Sequence, residues 1–236
     1  MAHWEEMSVD GKPVKIFAGL PPVATQGGGP FPAFLLCQHA PGLDAFTERV
    51  IDRLADHGFA SFAWDAYHRT GADHPDRRDH VTDDGLLTDM KATLAHMAQN
   101  PKVDMRRVGI AGHCMGGRTA YLGAASIDAF RVCGVFWGGS IALPRGHSGP
   151  SPLDLTKNIK CAVIGFFGND DKNPSPEDVN KIDAELTRCG VPHDFHRYDG
   201  AGHAFQNFTN ATNYREKQAE DAWAKEIAFF KAKLTP

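Results

Sequence analysis

Three residue types that together perform acyl transfer occur in this chain at turns that follow apolar runs: a cysteine at 114, aspartates at 170 and 171, and a histidine at 203. Cys114 lies in Gly112-His113-Cys114-Met115-Gly116-Gly117, between the apolar run at 108–111 and a helix-forming segment at 118–126. This order predicts a strand, a sharp glycine-flanked turn and a helix. Such a turn holds its central residue at a strained backbone angle, and Gly112 and Gly116 allow strand and helix to approach closely. A thiol placed there meets a helix N-terminus, whose dipole and free N–H groups favour the thiolate. A lone cysteine in a tight turn is more often just a small buried residue. Here the other two groups follow it in order along the chain.

The second group comes after the apolar run at 161–167, which ends in Gly168-Asn169-Asp170-Asp171. Either aspartate is a candidate acid on the loop after a late strand, although aspartates are also common turn formers. The third comes after the alternating segment 194–198, which runs into Asp199-Gly200-Ala201-Gly202-His203-Ala204-Phe205. Open α/β sheets build their sites at the C-terminal ends of strands, and these three groups stand at three such ends. His203 would take the proton of Cys114, and a carboxylate would hold the imidazole in the right tautomer.

The elements needed to position them can be read in outline. Strands are expected at 14–18, 33–38, 59–63, 107–111, 132–137, 161–167 and 194–198. Residues 45–57 carry apolar positions at 46, 50, 51, 54 and 55, a helical face, with Gly58 as the stop. Residues 83–100 place Leu86, Leu87, Met90, Leu94 and Met97 on one stripe, which reads as core. Ser175-Pro176-Glu177-Asp178 opens a helix with a Ser cap, Pro at its first position and acids in its first turn. A closing helix is expected at 214–233, with Ala222, Trp223, Ile227 and Phe230 inward. Segments 19–32, 67–82 and 141–158 read as irregular, the second as an excursion over the site. Trp137, at a strand end, is a candidate pocket wall or plain packing. Strands alternating with helices give an α/β fold, a mostly parallel central sheet with helices on both faces.

On these motifs the chain resembles the dienelactone hydrolase family, cysteine hydrolases of the α/β-hydrolase fold, from about Pro32 to near the C-terminus. Gly-x-Cys-x-Gly-Gly stands at 112–117, the Gly-x-x-Asp acid loop at 168–171, and the His-x-Phe loop at His203-Ala204-Phe205. An early strand, loop and helix at 35–46 also matches. The resemblance implies hydrolysis of an ester or lactone through an acyl-enzyme on Cys114, with His203 as base and Asp171, by the family spacing, as acid. It implies oxyanion donors at the backbone N–H groups of Met115 and, from the early loop, Ala40; Pro41 has no N–H to give. Two departures stand out. Relatives carry Glu at the position of His39, where it helps keep the resting thiol protonated; an imidazole there would favour a standing thiolate, or would merely cap its loop. Relatives carry Arg four residues after the catalytic His to bind a substrate carboxylate, and this chain has Asn207. Arg69, Arg77 and Arg78 are candidate replacements or solvated surface charges. His39, Trp137, Arg77, Arg78, Phe205 and Asn207 are therefore the expected substrate-side residues, and an uncharged ester or lactone is as good a candidate as an anionic one.

Bulk properties bound the rest. The 236 residues suit one domain spanning 1–236, with 42% hydrophobic residues, ordinary for a globular core. A net charge of −4 without a basic cluster gives nucleic-acid binding no electrostatic support. No apolar run reaches the roughly 18–20 residues of a membrane span. The N-terminal residues have neither the basic nor the apolar region of a secretory signal. Five cysteines without CxxC spacing argue against a disulfide framework and fit a reducing cytoplasm. No cofactor or metal is expected; His74 and His80 flank acids but match no metal spacing. A monomer or homodimer is expected. Thioesterase or broad carboxylesterase activity uses the same groups, whereas a ligand-binding or redox-sensing protein on this scaffold would need no complete set of three.

Overall fold

The computed structural model describes residues 2–71, 73–146 and 149–235. In chain order the elements are β1 (His3–Val9), β2 (Lys12–Gly19), the short α1 (Val23–Gln26), β3 (Phe31–Cys37), α2 (Ala45–Asp56), β4 (Ala60–Trp64), α3 (Asp83–Met97), β5 (Val103–His113), α4 (Met115–Ser126), β6 (Phe130–Phe136), a 3-10 helix (Leu153–Asn158), β7 (Ala162–Gly168), α5 (Pro176–Arg188), β8 (His193–Tyr198) and α6 (Glu216–Leu234). Of the expected irregular segments, residue 72 and residues 147 and 148 lie outside the described residues. No helix among the described residues is long and apolar enough to cross a membrane.

One eight-stranded sheet runs β1-β2-β4-β3-β5-β6-β7-β8. Only the β1/β2 and β2/β4 pairs are antiparallel. Every residue of β3 and of β4 is buried, as strands covered on both faces must be. Two apolar cores result. One lies under α3, α4 and α5, with Leu86, Met90, Tyr121, Val179 and Ile182. The other lies under α2 and α6, with Val50, Leu54, Trp223 and Phe230. Cys114 packs against both, at the seam where they meet.

β1 was not expected. Its residues are mostly exposed, so it carries no apolar run, but it pairs fully with β2 through a two-residue turn. Asp10 (φ 50°) and Gly11 (φ 75°) form that turn, the Asp-Gly chemistry that a right-twisted hairpin favours. The stretch at 19–32 holds α1, and the irregular segment at 141–158 holds the 3-10 helix. The helical caps follow the sequence reading. Ser175 and Asp178 form a reciprocal capping box with Pro176 between them, and Asp44 caps α2 through the N–H groups of Phe46 and Thr47.

Two buried ionisable side chains carry expectations for stability. Arg118 on α4 (1% exposed) makes a bidentate pair with Asp83 (2% exposed) at the start of α3, at 2.6 and 3.0 Å. It also donates to the carbonyls of Ser140 and Leu143, and Asp83 accepts from the Arg145 N–H. The pair therefore ties the segment after β6 to both helices. Arg118→Ala should leave Asp83 buried without its countercharge and cost about 3–5 kcal/mol, lowering Tm by about 6–20 °C in thermal unfolding.

Glu226 occupies a core position of the α6 stripe and is 1% exposed. Burial pushes its carboxyl well above the usual range, against the weaker pull of Arg53. The folded chain thus holds a proton that the unfolded chain releases above about pH 4.3. This site favours folding least at high pH, and the deficit shrinks as pH falls toward 4. Glu226→Gln should raise Tm by a few degrees at pH 8 and change it little at pH 4; a rise of equal size at both values would contradict this account.

Candidate active site

The C-terminal ends of β5, β6, β7 and β8 lie side by side, with His113 opposite Phe136, Phe136 opposite Phe166 and Gly168 opposite Tyr198. Cys114 follows β5 directly and caps α4 with φ 55° and ψ −120°. A non-glycine residue at such angles is strained. Its neighbours hold it there: the Cys114 N–H donates to the Phe136 carbonyl at 2.9 Å. A Cβ on Gly116 would run into the Cys37 carbonyl, and one on Gly112 into the Gly116 backbone. Trp137, Ser140 and Ala204 also have positive φ, so four of the five non-glycine residues in this conformation among the described residues cluster at this end of the sheet.

The structure brings Cys114, His203 and Asp171 into one line. His203 Nδ1 lies 2.8 Å from Asp171 Oδ2, and its Nε2 lies 3.1 Å from Cys114 Sγ. Asp171 is buried, and its other oxygen accepts the Asn173 N–H at 2.9 Å. Asp170 is exposed and instead gives its N–H to the Ala201 carbonyl. Burial by itself would raise the Cys114 thiol. The hydrogen bond and charge of His203, then the N–H groups of Met115 and Ala40, outweigh it and hold the thiol below its ordinary value. Burial acts to lower His203, but the bonds to Asp171 and Cys114 prevail and raise it to about 10. Both shifts act in the same sense, favouring the thiolate of Cys114 and the imidazolium of His203 over the neutral pair.

The expected substrate-side residues divide differently. His39 is buried and turned to Asp44, with Nε2 2.9 Å from Oδ1, an ion-pair distance. It does not face the thiol: the groups acting on Cys114 are His203, Met115 and Ala40. Asn207 spends its side-chain oxygen on the N–H and hydroxyl of Thr209, at 3.0 and 2.7 Å, closing its own turn. Phe205 is fully buried and packs on Tyr198. Trp137 is also buried; its Nε1–H donates to Gln206 at 3.0 Å and its ring lies 5.1 Å from that of His203, edge to face. Trp137 therefore packs against the imidazole. Arg69 is committed to Asp89 through two bonds of 2.7 Å. Each of these side chains is engaged by other residues of the protein.

Arg77 and Arg78 differ. Arg77 lies over the Tyr67 ring at 5.1 Å, and Arg77, Arg78 and Arg145 all act on the Tyr67 hydroxyl. That hydroxyl donates to the Ala40 carbonyl at 2.7 Å, so the arginines border the loop whose N–H faces Cys114. Arg77 Nε and Arg145 Nη1 are buried without a hydrogen-bond partner. Tyr67 and Arg145 were not singled out from the sequence, because only the folded chain carries them to the 38–41 loop. His74 and His80 stack edge to face at 5.5 Å, and among the described residues no group of three His, Cys, Asp or Glu is placed to hold a metal ion.

A mostly parallel sheet flanked by helices, with a strained Cys at the strand-to-helix turn, defines an α/β-hydrolase fold. The chain belongs to the dienelactone hydrolase family, whose model matches residues 20–234, and it is a dienelactone hydrolase-like enzyme acting on a small molecule. It is 28% identical over 207 residues to the carboxymethylenebutenolidase of Rhodococcus opacus, covering 82% of this chain and 78% of that one. It is also 28% identical over 218 residues to a Synechocystis sp. protein provisionally named for the same activity, covering 87% and 88% of the two chains. A solved Klebsiella pneumoniae structure, provisionally named a dienelactone hydrolase, superposes with a TM-score of 0.88 at 24% identity over 98% of both chains. A dienelactone hydrolase-like promiscuous phosphotriesterase from metagenomic libraries superposes at 0.84 and 19% identity, over 99% of this chain and 98% of that one.

Proposed function

We propose that the chain hydrolyses a small ester or lactone through an acyl-enzyme on Cys114. The observation that carries this reading is the unbroken line from Asp171 Oδ2 through His203 to Cys114 Sγ, at 2.8 and 3.1 Å. The thiolate attacks the carbonyl carbon, and the oxygen that gains charge is received by the N–H groups of Met115 and Ala40. Each such donor contributes about 2.7–4 kcal/mol to the transition state. The C–O bond to the leaving group then breaks, and the departing oxygen takes the proton of the His203 imidazolium. In a lactone that oxygen remains tethered to the acyl group. His203, now neutral, removes a proton from water, the resulting hydroxide attacks the thioester, and the thiolate leaves with the imidazolium restored. Asp171 holds Nδ1–H throughout, so that Nε2 is the atom that exchanges protons.

The arginines beside Tyr67 favour a substrate with a carboxylate on the side of the Ala40 loop. Their unpaired N–H groups support this, as does the name of the Rhodococcus opacus relative, whose lactone substrate class we extend to this chain. Acid quench during turnover of p-nitrophenyl acetate tests the central step. The peptide containing Cys114 should be heavier by one acetyl group. An acetyl group on another residue, with Cys114 unmodified, would overturn the reading.

A further inference from the structure

Cys114 and Ala40 lie just beyond the ends of neighbouring strands. β3 and β5 run parallel with Cys37 opposite Gly112, so Gln38 and His113 come next along the two strands, and Ala40 and Cys114 follow within two residues. Gln38, His39 and His113 are 3%, 3% and 5% exposed. All three line one narrow cavity of about 20 Å³, together with Phe46, Thr47 and Gly112.

Each of the three carries a buried side-chain nitrogen without a hydrogen-bond partner: Gln38 Nε2, His39 Nε2 and His113 Nε2. That of His39 at least has Asp44 at ion-pair distance; the other two have nothing comparable. Gln38 Oε1 accepts the Ala66 N–H at 3.1 Å, which fixes the amide and leaves Nε2 as a donor. The His113 ring is boxed by Phe46, Phe136, Trp137 and Trp223, at centroid distances of 4.9, 4.7, 5.3 and 5.8 Å. Burial, and then nearby His39, keep it neutral at ordinary pH, so one of its ring nitrogens is an acceptor. Buried polar nitrogens are rarely left unpaired in folded proteins, and the two of Gln38 and His113, on residues that line one cavity, call for a shared partner. A space of this size takes one water molecule and little else.

We propose that the cavity binds a single water, which accepts from Gln38 Nε2–H and donates to His113 Nε2, and that this bridge sets the spacing between the Ala40 N–H and Cys114 Sγ. His113 is thereby a positioning residue: it touches no substrate and acts through the residue that follows it. The role of the bridge rests on the assignments of Ala40 and Cys114 proposed above, whereas the water site does not.

A high-resolution crystal structure of the full chain tests the site. A single density peak within hydrogen-bond distance of Gln38 Nε2 and His113 Nε2 is expected. No peak, or either side chain turned to a protein partner, would overturn it. The positioning role is read from the pH dependence of Cys114 alkylation by iodoacetamide, which needs no ester substrate. His113→Phe and Gln38→Leu should each move the alkylation midpoint upward by about one pH unit as the Ala40 N–H drifts from the thiolate. Because both lose the same water, the double variant should move it no further, and His113→Gln should restore most of the shift. Unshifted midpoints in both single variants, or shifts that add, would overturn the coupling. A wild-type Cys114 that does not react at all would count against the thiolate reading, while the density peak would still decide the water site.

Discussion

Cys114→Ala should lower kcat for p-nitrophenyl acetate by about 10⁵-fold, leaving only the residual acceleration that binding and oxyanion donors give without a nucleophile. The substitution removes one sulfur atom and little else. The backbone at 114 is held by the Phe136 carbonyl and the tight Gly112–Gly116 contact, and alanine tolerates φ 55° no worse than cysteine does. Tm should therefore stay within a few degrees of the wild type. Steady-state rates with wild type and variant purified in parallel check this. A variant retaining a tenth of the activity would mean that ester hydrolysis occurs elsewhere in the molecule.

Asp171→Asn should lower kcat by about 10⁴-fold, while Asp170→Asn changes it less than about threefold. The contrast follows from geometry: Asp171 is buried on His203 Nδ1 at 2.8 Å, and Asp170 points to solvent. The pH dependence gives the sign. Asp171 helps raise His203 to about 10; without that carboxylate the imidazolium is less stable and the proton returns to the thiol. The alkylation profile of Cys114 should shift upward toward that of an ordinary cysteine, so reactivity at pH 6 falls more than reactivity at pH 9. Equal losses at both values would assign Asp171 a purely structural part.

Most of this arrangement is legible in the sequence because it is local. Gly112-x-Cys114-x-Gly116 between an apolar run and a helix leaves few conformations open, and the acid and imidazole loops each follow a strand written in apolar residues. β1 was not legible from apolar patterning: an edge strand buries almost nothing, and Asp10-Gly11 was its one signal. The surroundings of the substrate-side residues were not legible for a different reason. Whether His39 faces a thiol or Asp44, and whether Asn207 faces a substrate or Thr209, is decided by a side-chain torsion and by what the fold packs nearby. Position in the chain does not carry that information. Tyr67 shows the converse, since its hydroxyl matters only because an excursion folds back over the 38–41 loop.

The five cysteines are chemically unequal. Burial pushes Cys37 and Cys133 well up and Cys161 to about 12, and partial burial with the Glu185 carboxylate pushes Cys189 up. Cys114 alone moves the other way. A limiting amount of a fluorescent thiol tag at pH 6 should therefore mark one position in five, and the dye bound per chain would count the competent molecules in a preparation without any substrate.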